Sequence, residues 1–293
     1  MSRSEAVNPE ATGMGVRGAR RSRGPRRGAG ERILIGIVGL YAGVLLLGPL
    51  VALVWGSLAE GAGEFLRQVT SPDAVYALWL TLLLAVSATA INTVFGVCVA
   101  YVLVRDNFRV KTILNGLVDL PFAVSPVIAG FMIILLFGRM GWLAPITQAL
   151  RIKVVFAIPS MLLATIFISL PFVIREVMPL LAHAGLDQEH AAYTMGASQL
   201  QTFWHVTLPC IRSGLLYGVS LSFARAVGEI GAVLVVSGDI SRSTETATLF
   251  IYRSLDDRNY VGAYAMAVVL VAISLAILIF MEFLKKSPEA ADR

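Results

Sequence analysis

The chain has 293 residues, 57% of them hydrophobic and 15% charged, where a soluble globular domain carries about 25% charged; that much apolar surface needs lipid around it. The net charge of +5 does not point to nucleic acid, because eight of the 24 Lys and Arg residues precede position 33 among Gly, Ser and Pro, as in a basic disordered tail. Cys98 and Cys210 stand far apart without metal-like partners, which argues against a disulfide framework and a zinc site.

The tail, residues 1–32, contains Arg20-Arg21, a pair also found in twin-arginine export signals, and the apolar run behind it imitates a signal peptide. A signal core is about 7 to 15 residues. The run from Ile33 to Ser57 is uncharged throughout and long enough to cross a core of ~30 Å, so it reads as a retained first span. Further apolar runs occupy Val75 to Val104, Leu117 to Phe137, Val154 to Ile174, Ile211 to Val236 and Gly262 to Leu284. Lipid leaves no partner for an open strand edge. The fold is therefore an all-α integral membrane protein of about six transmembrane helices, with a transmembrane domain over 33–284 and a short tail over 285–293. Pro121 and Pro126 fall inside the third span, which is expected to be kinked or partly unwound.

Basic residues set the orientation. With both termini in the cytoplasm, 16 Lys and Arg residues fall inside and seven outside, as the positive-inside rule requires. The loop at 138–153, with Arg139, Arg151 and Lys153, runs against the rule.

The longest cytoplasmic loop, about 175–209, reads as two short helices meeting at a glycine. Asp187 is placed to cap the first, which ends at Gly196, a residue suited to a left-handed turn. Ser198 is placed to cap the second, with Gln201 at the capping-box position. Leu200, Phe203, Trp204 and Thr207 then recur at helical spacing, and Leu208, before Pro209, marks the expected end. Such an apolar face either docks a partner or folds back on the bundle or the lipid headgroups.

Ala191-Ala192, three residues, Gly196, nine residues and then Val206-Thr207-Leu208-Pro209 resemble the EAA loop of ABC importer permeases, the binding-protein-dependent transport permease family. Val206 stands where isoleucine is usual, and His190 stands at the family's glutamate, with Glu189 just before it. The segments from Asp119 to Gly130 and from Arg225 to Ala232 further resemble sulfate/thiosulfate permease subunits of the CysW type, over nearly all of residues 33–284. The resemblance implies that the loop around Gly196 is a coupling helix inserting into a cytoplasmic ATPase, with Glu189, His190, Ala191, Ala192, Gly196, Leu200, Phe203, Trp204, Leu208 and Pro209 forming that contact. It also implies a sister permease of the CysT type, two ATPase subunits, a periplasmic sulfate-binding protein and a place in the bacterial inner membrane. The chain has no Gly-rich phosphate loop. ATP and Mg are thus expected in the partner ATPase, with no cofactor, metal or catalytic residue in this chain.

Arg225 and Glu229 stand four apart inside an apolar span, where an unpaired charge facing lipid is costly. They read as a structural ion pair, or as a cation offered to a passing dianion with Glu229 fixing its rotamer; a carboxylate beside the path repels sulfate, which weighs for the first. Pro121, Ser125, Pro126 and Gly130 suit an unwound helix presenting N–H groups or a hydroxyl to an oxyanion, and equally suit a packing kink. His183, His190 and His205 share one loop without a metal-like pattern.

Three functions compete. An ABC permease subunit moves sulfate or thiosulfate inward by alternating access; a molybdate or other oxyanion permease keeps that mechanism and changes the ligand. An ion-coupled secondary transporter needs several titratable groups along its path, and only Arg225 and Glu229 lie well inside a span.

Overall fold

The computed structural model describes residues 29–289, so the basic tail with Arg20-Arg21 and the last residues of the C-terminal tail lie outside the described residues. The chain divides into two compact units, residues 1–49 and 50–293. The described part of the first is the start of α1 (Ala29–Ser57), an apolar helix whose side chains from 34 to 49 are nearly all exposed.

In the second unit the described elements are all helical. After α1 come α2 (Ala62–Val69), α3 (Pro72–Arg105), α4 (Lys111–Ala123), α5 (Pro126–Phe137), α6 (Ala144–Ala149) and α7 (Ile158–Ala184). Then follow α8 (Asp187–Thr194), α9 (Gln199–Thr202), a π-helical turn (Phe203–Thr207), α10 (Leu208–Val227), α11 (Gly231–Val236), α12 (Ala247–Asp256) and α13 (Tyr260–Glu289). Among the described residues α1, α3, α7, the run Gln199–Val227 and α13 are long and apolar enough to cross a membrane, and the bent pair α4–α5 brings the number to six if it is one broken span rather than a re-entrant loop. The protein is a multi-pass membrane protein.

Two spans depart from their expected bounds, and a third, expected to be kinked or partly unwound, is broken. This third span is two helices set at 114° to one another. Pro126 lacks an N–H and forces the residue before it out of the helical region; Ser125 sits at φ −59°, ψ 139°, and Val124 is extended. The fourth begins at Ile158 and runs on to Ala184, absorbing residues 175–184 of the expected loop. Arg175 is tolerated there because it donates to both carboxylate oxygens of Asp119 and to the Asn115 carbonyl on α4. The fifth stops at Val227 rather than Val236; Gly228 caps it, and residues 231–236 form the separate α11.

The bundle is centred on α7, whose neighbours approach through small residues. A methyl group at Gly96 of α3 would stand 2.8 Å from Val173 Cγ1, and one at Gly214 of α10 would run into Leu180 Cδ1 and stand 2.7 Å from the Glu176 carbonyl. Gly214 and Gly218 are four apart, the spacing that lets membrane helices pack backbone to backbone. Inside the same seam Asn92, fully buried, donates to the Ile166 carbonyl and the Ser169 hydroxyl, while Ser222 donates to the Ser169 carbonyl. These bonds tie α3, α7 and α10 together where no water competes.

Candidate functional site: the loop joint and the broken spans

One end of the bundle gathers the C-termini of α3 and α7 and the N-terminus of α10. The loop joint there is built by local chemistry. Gly196 has φ +89°; its N–H donates to the Tyr193 carbonyl, and the Ala197 N–H donates to the Ala192 carbonyl. That pair of bonds is the Schellman ending of α8, which a glycine at this position allows at no steric cost. Ser198 and Gln201 form the reciprocal capping box that opens α9.

Asp187 does not cap α8. Gly185, at φ +65°, brings the chain in so that Leu186 is the cap position and Asp187 is already the first helical residue, its charge near the helix N-terminus. Pro209 does not end the second helix either. The π turn absorbs it: the Leu208 N–H reaches back to the Phe203 carbonyl, five residues away, so the register shifts one residue before the position where an N–H is missing. The second loop helix and the fifth span are one run of 29 residues.

That extra residue re-aims the apolar face. Phe203 and Thr207 turn inward, Phe203 packing edge-on against Tyr101 with ring centroids 6.3 Å apart, and Thr207 is 3% exposed. What remains outside is Met195, Leu200 and Trp204. His190, Ala191 and Pro209 are exposed, Ala192 is buried and Leu208 is half-buried against the core.

Glu189 holds this joint to the bundle. It is 4% exposed, and its Oε1 accepts from Arg105 Nη2 at 2.7 Å and from Thr207 Oγ1 at 3.0 Å. One carboxylate oxygen thereby joins the end of α3, the start of α8 and the π turn.

Further along the bundle, the structure brings the two interrupted segments together. A methyl group at Gly130 of α5 would stand 2.9 Å from the Ala232 carbonyl of α11, and one at Gly231 would stand 2.9 Å from Pro126 Cβ. Glu229, 3% exposed, lies in the break between α10 and α11: one oxygen pairs with Arg225 Nη1 at 2.6 Å, the other accepts from the Ala232 N–H, and its backbone carbonyl accepts from Thr248. The residues are thus paired as their four-residue spacing suggests, but Glu229 lies before the Ile230 cap of α11, its side chain accepting one of that helix's first N–H groups, instead of lying within one continuous helix. Ser125 is exposed at the 114° break, and its hydroxyl does not cap α5. Pro121 is buried within α4. Among the described residues no group of three or more His, Cys, Asp or Glu side chains is placed to hold a metal ion.

Residues 92–288 match the family described as binding-protein-dependent transport system inner membrane component. The chain belongs to that family. Among its relatives are the chloroplastic sulfate permease 2 of Chlamydomonas reinhardtii, 44% identical over 90% of this chain and 71% of the relative, and the sulfate transport system permease protein CysW of Synechococcus elongatus, 44% identical over 86% and 88%. Its fold is shared with a bacterial ABC transporter involved in the import of alginate, at a TM-score of 0.72 and 16% identity, over 87% of this chain and 94% of that one. In this transport-system component, three contacts have no counterpart in local sequence pattern: Arg105 with Glu189, Arg175 with Asp119, and Asn92 with Ser169. Only the unusual presence of a charge or amide inside an apolar run marks Asn92, Asp119 and Arg175 beforehand.

Proposed function

We propose that this chain is a permease subunit of an ATP-driven importer that moves sulfate or thiosulfate into the cytoplasm by alternating access. The observation that carries the reading is the loop joint: a rigid glycine turn presents Leu200 and Trp204 outward while Glu189 clamps it to the bundle core. A buried clamp lets a push on the exposed face move the spans rather than bend the loop. Few exposed aromatic and aliphatic anchors suffice for docking into a groove.

In this reading the joint lies in the cytoplasm, as do both termini, and the bacterial inner membrane holds the spans. A separate ATPase, present in two copies, binds ATP and Mg. A sister permease of the CysT type completes the membrane core, and a periplasmic sulfate-binding protein delivers the anion. The sulfate permeases among the relatives support the choice of ligand. The break at Ser125 is the part proposed to meet the anion, with the Arg225–Glu229 ion pair beside it as a structural lock and Gly130 and Gly231 allowing α5 and α11 to close against each other. An ion-coupled carrier fits less well. The buried glutamates Glu189, Glu229 and Glu245 are each bound to an arginine, the arrangement of structural ion pairs.

Purification of the complex in mild detergent tests the reading. The ATPase is expected to stay bound to the wild type and to be lost from Leu200→Ala/Trp204→Ala, while insertion in the membrane is unchanged; retention in the double variant contradicts the docking role.

A further inference from the structure

A cavity of about 640 Å³ opens between the end of α5 and the start of α7. Ile134, Phe137 and Phe156 give it an apolar wall, and Arg139, Arg151 and Lys153 line it with no carboxylate among them. All three cations are exposed, and among the described residues none of them forms an ion pair. Elsewhere Arg67, Arg105, Arg175, Arg225, Arg242 and Arg253 each meet a carboxylate, while Arg109, Lys111, Arg212 and Arg258, which also form no ion pair among the described residues, do not line this cavity. The same segment leaves Trp142 88% exposed and Met140 fully so.

Three unpartnered cations around one cavity make a positive potential that an anion satisfies. Size decides which kind. At ~30 Å³ per water, the cavity holds on the order of 20 waters, several times what a free tetrahedral oxyanion displaces. Position agrees, because the segment lies just beyond the last residue of α5, where a span meets water, and tryptophan at that level settles among lipid headgroups. Cations over an apolar wall match a phosphodiester with the first carbons of its acyl chains.

We propose that this cavity binds an anionic phospholipid, its phosphodiester on Arg139, Arg151 and Lys153 and its glycerol and upper acyl carbons against Phe137 and Phe156. The site also accounts for three basic residues in a loop that breaks the charge rule: they are held by lipid headgroups rather than left in water. It requires only that α5 and α7 belong to the membrane spans, and does not depend on which substrate the protein carries.

Native mass spectrometry of the purified chain, with phosphatidylglycerol or phosphatidylcholine added, provides the test. The wild type is expected to hold phosphatidylglycerol in preference to phosphatidylcholine, and Arg139→Gln/Arg151→Gln/Lys153→Gln to bind it more weakly by about fivefold for each cation removed. Arg139→Lys/Arg151→Lys keeps the charge and is expected to keep the preference, which separates loss of charge from damage to the loop. Equal phosphatidylglycerol binding in wild type and triple-glutamine variant overturns the proposal. So does displacement of the lipid by inorganic sulfate at matched ionic strength, which makes the occupant a free oxyanion. Unchanged lipid binding together with lost response to the periplasmic binding protein overturns it as well, and assigns the cations to that protein's docking.

Discussion

Arg105 at the end of α3 and Glu189 in the first turn of α8 lie 84 residues apart in sequence and 2.7 Å apart in space, with side chains only 9% and 5% exposed. A charge pair this dry is costly to break from one side. Arg105→Ala is expected to destabilise the joint by roughly 3 to 5 kcal/mol, and Arg105→Ala/Glu189→Ala by much less than the sum of the single changes. Thermal unfolding of the purified protein measures both. Additive losses would mean that Glu189 is held by something other than Arg105.

Gly130 faces α11 with no room for a side chain. Gly130→Ala must push its methyl against the Ala232 carbonyl and Val235. The expected cost is about 1 to 3 kcal/mol, and crosslinking between cysteines placed on α5 and α11 is expected to fall. Undiminished crosslinking would show that the two half-helices have slack between them.

The Arg225–Glu229 pair separates structure from transport. Glu229 is almost fully buried and Arg225 about a third exposed, so Arg225→Ala leaves a buried carboxylate held by the Ala232 N–H alone. The expected loss is roughly 3 kcal/mol, restored in large part by Glu229→Gln in the same chain. If instead Arg225→Ala keeps full stability in thermal unfolding and loses uptake, Arg225 touches the anion directly.

How much of this was readable in advance depends on range. Spans follow from composition, the break at Pro126 from a missing N–H, and the Gly196 turn and Ser198 capping box from residues within four positions of each other. The Arg105–Glu189 clamp and the α5–α11 contact depend on where distant segments meet, which no local pattern encodes. Pro209 misled for a different reason: one π turn is enough to carry a helix past a proline, and that choice is made by packing of Phe203 and Thr207 against the core.

Glu245, fully buried in the loop between α11 and α12, gives a pH dependence. Burial pushes its carboxyl above the ordinary value of 4.5, with Arg253 opposing that rise and Asp239 and Asp73 adding to it. A raised pKa in the folded state contributes stability that is present below the unfolded value and lost as pH rises through the folded one. The wild type is expected to lose this contribution on going upward from about pH 4.5, and Glu245→Gln to show a flatter profile over the same range. Melting temperature against pH, measured on both proteins, checks it; parallel profiles would place the titration elsewhere.

The joint at Gly196 is where the central claim is most exposed. A β-carbon there meets nothing within 4 Å, so any harm from substitution comes from the backbone, held at φ +89°, a conformation that costs a β-branched residue on the order of 1 to 2 kcal/mol or more. ATP-dependent sulfate accumulation in proteoliposomes holding the assembled importer measures the consequence. Wild type is expected to accumulate sulfate only with ATP and the binding protein present, and Gly196→Val, still inserted in the membrane, to lose accumulation. Uptake by Gly196→Val at the wild-type rate, or wild-type uptake driven by an ion gradient without ATP, would contradict the account.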